Sequence, residues 1–280
     1  MLNQLDNKTI DEIKAKARKK LNEYSKLNDV IGGQIFNILE LENKVLYYPI
    51  QDDEVWGFSE KIEGKSFVWI NTAIEYDKQV FAAAHELYHL WFENNGEVIL
   101  KADVEEKNNS NTISDSELKA NRFAAEFLIN EELLLQEMRT YSVDRSKIDI
   151  KDIIKLSNLF TVPYKTMVKR LYEIKLMNQK RYSELIALSN EEVKVWRNRL
   201  GLSLPTRDKK IGLSDLVDKA MRLYEEKKIT KEKLEYLLGF SGLDLEEMGI
   251  EDEKPYAPPT DEELDLIMEE EGYETKKNNY

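Results

Sequence analysis

Cysteine is absent from this chain, and histidine occurs only twice. Without cysteine, no disulfide framework and no thiolate zinc finger can form. No apolar run approaches the ~20 residues that cross a bilayer. The opening residues, Met1-Leu2-Asn3-Gln4-Leu5-Asp6, make neither a basic n-region nor an apolar h-region. The expectation is a soluble, cytoplasmic protein with no membrane partner. Positive charge is in the minority, with 41 Lys and Arg against 54 Asp and Glu, for a net charge of −13. That balance opposes broad non-specific binding to nucleic acid or anionic lipid. Hydrophobic residues at 41% and aromatics at 10% exclude global disorder. A length of 280 residues suits one compact domain followed by a helical extension.

Helical periodicity opens the chain. Thr9-x-x-Glu12 reads as a capping box, and Ile10, Ile13, Ala17, Leu21 and Tyr24 recur at helical spacing as far as about Leu27. A shorter helix is expected over Ile31–Leu41. Three strand-like runs follow, Lys44–Tyr48, Val55–Ser59 and Ser66–Asn71. The first two are joined across Pro49-Ile50-Gln51-Asp52-Asp53 and the last two across a turn containing Gly64. Together they imply a small, largely antiparallel sheet. A helix over Asp77–Asn94 comes next, then a polar stretch around Lys107-Asn108-Asn109-Ser110-Asn111 that reads as a mobile loop. Further helices are expected over Asp115–Arg139, Ile150–Leu159, Pro163–Met177, Asn190–Leu200, Leu213–Lys227 and Lys231–Leu238. Pro255, Pro258 and Pro259 precede Glu269-Glu270-Glu271 in what reads as a poorly ordered acidic tail.

The two histidines stand together, in His85-Glu86-Leu87-Tyr88-His89. Positions i and i+4 share one helix face, so two imidazoles there can bind one Zn²⁺. Glu86 follows the first imidazole and is placed to act as general base. Surface histidines flanking a glutamate are the plainer reading. The neighbours oppose it: Val80-Phe81-Ala82-Ala83-Ala84 and Leu90-Trp91-Phe92 make the helix apolar nearly all round, and buried histidines and carboxylates need partners.

A catalytic zinc takes three protein ligands. With no cysteine and no third histidine, the last must be Asp or Glu. Glu117 is favoured, with Asn121 one turn later able to accept a hydrogen bond from a ligating imidazole. Ser114-x-x-Glu117 is also a capping box, and Asp115 and Glu126 are rival ligands. Glu126 lies two and a half turns beyond Glu117, close to the same face.

Phe81-Ala-Ala-Ala-His85-Glu86-Leu87-Tyr88-His89-Leu90, followed by Glu117-x-x-Ala120-Asn121-x-Phe123-Ala124-Ala125-x-Phe127-Leu128, closely resembles the ImmA/IrrE family of metallo-endopeptidases. Trp69-Ile70-Asn71 resembles the family's strand before the motif helix, and Ile38-Leu39-Glu40-Leu41 and Gly57-Phe58 resemble its N-terminal pattern. The likeness spans about residues 10–175. It departs at Tyr88, where members usually carry Gly, which adds bulk beside the metal. The resemblance implies zinc held by His85, His89 and Glu117, with Glu86 as catalytic base. The expected fold is α+β: a small antiparallel sheet on a zincin-like active-site helix, followed by a mainly helical C-terminal region. The expected divisions are a peptidase domain over 1–145, a helix-turn-helix-like extension over 146–250 and the acidic tail over 251–280.

On that footing the expected chemistry is peptide-bond hydrolysis. Strand addition of substrate to Ser66–Asn71, read as an edge strand, at Trp69, Ile70 and Asn71 is one binding mode; the other reading is that this strand only closes the sheet. Tyr76, Tyr141, Tyr164 and Arg122 are candidates to stabilise the oxyanion. The resemblance further implies a helix-turn-helix, XRE-type repressor as protein substrate, with a regulatory role linked to mobile genetic elements. The alternative is a non-catalytic zinc-binding protein that relieves repression by binding the repressor. A third reading takes Ile150–Leu171, with Lys165, Lys169, Arg170 and Lys175, as a DNA-binding helix pair; the net charge disfavours it.

Overall fold

The computed structural model describes residues 5–93, 98–100, 114–203, 211–246 and 248–250, together with 260, 262, 264 and 266. The expected mobile loop and almost all of the acidic tail lie outside the described residues. Helix α1 (Asn7–Glu23) begins earlier than Thr9-x-x-Glu12 implies. Asp6 is its N-cap and accepts from the Thr9 N–H at 2.8 Å, a short-range bond that satisfies one of the free amides of the first turn. Its apolar stripe, Ile13, Ala17 and Leu21, is buried. A short 3₁₀ turn (Gly32–Gln34) leads into α2 (Ile35–Glu42).

Strands β1 (Lys44–Tyr48), β2 (Val55–Ile62), β3 (Lys65–Asn71), β4 (Val98–Leu100) and β5 (Gly212–Leu213) form one sheet in the order β4-β2-β3-β1-β5. Glu63 and Gly64 both have positive φ, as the tight β2–β3 hairpin requires. Two features differ from expectation. The β1–β3 pairing is parallel, while the other three are antiparallel. Strand β3 is central, not an edge. The β1–β2 connection therefore passes over the end of β3, and Asn71 stitches it there. Its Oδ1 accepts from Ile50 N and Ala73 N, both at 3.0 Å, and its Nδ2 donates to Val55 O at 2.8 Å and Asp52 O at 3.1 Å. With both atoms of its amide engaged, Asn71 holds the strand end and the turn that launches the next helix.

That helix, α3 (Tyr76–Phe92), is buried along most of its length. The single helix expected over Asp115–Arg139 is two, α4 (Asp115–Leu128) and α5 (Glu131–Thr140). Asn130 separates them because its side chain caps α5, accepting from Glu132 N and Leu133 N. Then come α6 (Ile150–Phe160), α7 (Tyr164–Glu173), α8 (Gln179–Ile186), α9 (Asn190–Arg199), α10 (Leu216–Glu225) and α11 (Lys231–Gly239). Helix α8, capped by Asn178, was not anticipated, and Leu213 belongs to β5 rather than to the helix after it. Helix α11 packs against α10, with Leu234 and Leu238 buried.

The expected division at 145/146 is not where the chain divides. Ile153, Ile154 and Phe160 of α6 and Met167, Val168 and Leu171 of α7 lie in one core with α1, α2, the sheet and α3. The first compact unit is Met1–Gly242 and the second Leu243–Tyr280. Among the described residues no helix is long and apolar enough to cross a membrane.

Candidate metal centre

Helix α3 forms where apolar residues run without a break from Val80 to Ala84, which makes it a core helix. One turn of its buried face carries two imidazoles. His85 is 0% and His89 2% exposed. Helix α4 packs across α3 and delivers Glu117 from its first turn. Three donor groups converge: His85 Nε2 lies 3.0 Å from His89 Nε2 and 3.0 Å from Glu117 Oε2, and His89 Nε2 lies 3.2 Å from the other oxygen of the carboxylate, Glu117 Oε1. Ligand atoms on a tetrahedral zinc at 2.0–2.1 Å sit about 3.3 Å apart, so this triangle has nearly the size of one face of such a site. Neither Glu117 oxygen makes a regular hydrogen bond. Buried carboxylate oxygens in that condition call for a cation, and two imidazoles with one carboxylate form a donor set suited to zinc.

The outward nitrogens are fixed as well. His85 Nδ1 donates to Asn121 Oδ1 at 2.9 Å, and His89 Nδ1 donates to Glu93 Oε2 at 2.7 Å. With both protons outside, both Nε2 lone pairs point into the triangle, which is how such partners set the tautomer. Asn121 takes the position expected of it. Glu93 was missed, although it lies four residues beyond His89, the helical spacing that would have found it. The Ser116 hydroxyl donates to the same Glu93 oxygen at 2.5 Å, linking the end of α3 to α4.

The electrostatics follow from burial. Burial works to raise the Glu117 carboxyl, but the two imidazoles outweigh it and hold the group at about 2. Burial likewise works to lower His89, and Glu117, Glu86 and Glu93 outweigh it, raising His89 to about 9, so a metal that takes the His89 Nε2 lone pair displaces a proton from it. Glu86 is 0% exposed, and both its oxygens lack a regular hydrogen-bond partner. Burial pushes its carboxyl up to about 8 against the opposing pull of Ser59 and His89. A buried carboxyl whose affinity for a proton is raised by its surroundings is suited to moving a proton.

The rival ligands are committed elsewhere. Asp115 is exposed and pairs with Lys119. Glu126 points into a separate ion-pair cluster. Arg170, 0% exposed, donates to it through both terminal nitrogens and also reaches Ile129 O at 3.0 Å, while Arg122 Nε donates to Glu126 at 3.0 Å. Ser114 does cap α4, accepting from the Glu117 N–H at 3.2 Å, but this uses the backbone and leaves the Glu117 carboxylate for the histidines.

Other expected roles fall away. Trp69 and Ile70 lie on the central strand, bonded on both sides, so substrate cannot pair with them by strand addition, and Asn71 is a structural tie. Among the oxyanion candidates, Arg122 is held by Glu126 and Glu173 and Tyr164 donates to Leu185 O. Tyr141 is 58% exposed on the turn after α5, and Tyr76 begins α3 with its hydroxyl against Gly33. Tyr88 packs edge-on against the His89 ring and against Lys16, Phe92 and Phe123, so its bulk fills the α1–α3–α4 core. Arg170, offered as a DNA contact, is buried in its ion pairs.

No curated protein matches the chain. A family model does: residues 40–172 fit Peptidase_M78, the IrrE N-terminal-like domain. The matched stretch takes in β1–β3, α3, α4 and every member of the triangle with its outer partners, and the domain built on them belongs to the ImmA/IrrE family of metallopeptidases.

Proposed function

We propose that the chain is a zinc-dependent endopeptidase whose metal is held by His85, His89 and Glu117 and whose base is Glu86. The observation that carries this reading is the buried triangle of donor atoms with a second buried carboxylate beside it. A binding module needs the first three groups and gains nothing from the fourth, because burying an unpaired carboxyl is costly. Held by His85, His89 and Glu117, zinc would supply a Lewis acid able to polarise the scissile carbonyl and to acidify water. Glu86 takes the proton from the attacking water and returns it to the leaving amine. Asn121 and Glu93 hold the imidazoles in the tautomer that faces the metal. Burial of Glu86 keeps bulk water from competing for its proton.

The proposed substrate is a helix-turn-helix repressor of the XRE type. What supports it is the family likeness, in which regulatory cleavage of such repressors recurs, together with a net charge of −13, which favours a basic protein over DNA as partner. The test is metal content by atomic absorption together with incubation of the zinc-loaded chain with a purified XRE-type repressor. One zinc per chain and a discrete cleavage product absent with Glu86→Gln are expected. Zinc binding without cleavage of any protein or peptide would defeat the reading.

A further inference from the structure

Helix α3 alone does not orient the base. Strand β2 runs beneath it, and Gly57 and Ser59 point from one face of that strand, opposite the buried Ile70 and Val68 of β3. A Cβ built on Gly57 would lie 3.4 Å from Glu86 Oε1 and 3.2 Å from Trp69 O. Glycine therefore leaves the space in which the carboxylate lies. Ser59, two residues on along the same face of the strand, is 0% exposed. Its Oγ and both Glu86 oxygens are buried, and none of the three has a hydrogen-bond partner elsewhere in the fold or in one another at full hydrogen-bond geometry, so a donor and an acceptor on facing elements are both left unsatisfied. A serine hydroxyl is a rotatable donor, and a carboxylate is the strongest acceptor it can meet in a dry site.

We propose that Ser59 is a positioning residue for the base: its hydroxyl donates to one Glu86 oxygen and leaves the other turned toward the substrate water. This rests on the peptidase reading for its consequence but not for the contact itself. The hydroxyl selects one carboxylate rotamer, so a single oxygen receives the proton of the water and the reacting geometry is set before substrate arrives. The proton ends on the leaving amine, and Ser59 exchanges none.

The test uses the full zinc-loaded chain with Ser59→Ala and Ser59→Thr, and a pool of quenched fluorogenic peptides of randomised sequence. A charge-assisted hydrogen bond of ordinary strength predicts a fall in kcat of roughly 10-fold or more for Ser59→Ala, with KM and zinc stoichiometry unchanged. Ser59→Thr keeps the hydroxyl and restores kcat. A merely structural serine would not divide kcat from KM in this way. The contact is also read without activity, by the infrared carboxylate band of Glu86, located as the band lost in Glu86→Gln. That band should shift in Ser59→Ala and stay in Ser59→Thr. An unshifted band in Ser59→Ala overturns the inference whatever the kinetics. If wild type cleaves none of the peptides, the peptidase reading suffers while the band still decides the contact.

Discussion

Exchanging Glu117→Gln and, separately, Glu126→Gln divides the metal from the fold. The two carboxylates lie on one helix and are both buried, 4% and 6% exposed, yet the structure gives them opposite duties. Glu117→Gln preserves side-chain volume, and the Ser114 cap uses only the backbone N–H of residue 117, so α4 keeps its N-terminus. What is lost is the negative charge between two imidazoles. Losing an outer partner alone weakens metal binding 10–100-fold, so losing one of three protein ligands should weaken it by about 100-fold or more. With free zinc buffered at about 100 times the wild-type Kd, the metal stabilises the wild type by ~2.7 kcal/mol. That corresponds to roughly 5 °C of melting temperature in a chain of this size. At the same free zinc the variant sits near its own Kd, where stabilisation is only ~0.4 kcal/mol. The chelator-sensitive shift should therefore collapse to about 1 °C. Glu126→Gln should behave the other way. It strands the buried Arg170 guanidinium, with Glu173 still 3.6 Å away, and should destabilise the fold by about 3 kcal/mol while leaving the chelator-sensitive shift intact. The assay is thermal unfolding with and without chelator, alongside zinc per chain. Zinc retained in Glu117→Gln, or lost from a folded Glu126→Gln, would refute the assignment of ligand and clamp.

Three further outcomes follow from the site. Glu86→Gln should keep zinc and lose hydrolysis by at least about 100-fold; cleavage at near wild-type rate would remove Glu86 from its role. Asn121→Ala and Glu93→Ala should each weaken zinc 10–100-fold, read by competition with a chromophoric chelator, and unchanged affinity in both would mean the imidazoles orient themselves. Gly57→Ala forces Trp69 O or the Glu86 carboxylate to give way by a few tenths of an ångström, so its kcat should drop while zinc affinity holds, and equal losses in the two would place Gly57 in the fold alone.

Local and helical information was legible. His85, Glu86 and His89 declare themselves by spacing and by apolar neighbours, and Glu117 with Asn121 by one turn of helix beyond a serine cap. The β1–β3 segments were found within a few residues because each is a short β-rich run bounded by turn residues. Pairing was not legible, because a run of alternating residues states a face and not a neighbour. The segment Pro49–Asp53 resembles a hairpin connection, yet it spans β3, and what makes the crossing stable is the hydrogen bonding of Ile50, Asp52 and Val55 with the Asn71 amide, 16 to 21 residues further along the chain. No periodicity in 49–53 contains that.

The same distinction separates the two halves of the reactive centre. The metal triangle is nearly all helix, with two groups one turn apart on α3 and one in the first turn of α4, and helical spacing can be counted along a chain. The setting of the base is a contact between a helix and a strand, made by Gly57 and Ser59, and it depends on strand register. Shifting β2 by one residue would turn Ser59 to the opposite face and carry Phe58 or Glu60 toward the carboxylate. Register here is held by six cross-strand pairs with β3, from Gly57–Ile70 to Ile62–Lys65, and by the Glu63-Gly64 turn that fixes their phase. A turn on the far side of the sheet from the connection over β3 thus determines which side chains lie against Glu86. Lengthening that turn by one residue should impair hydrolysis before it impairs zinc binding, since α3 and α4 hold the three ligands without help from β2.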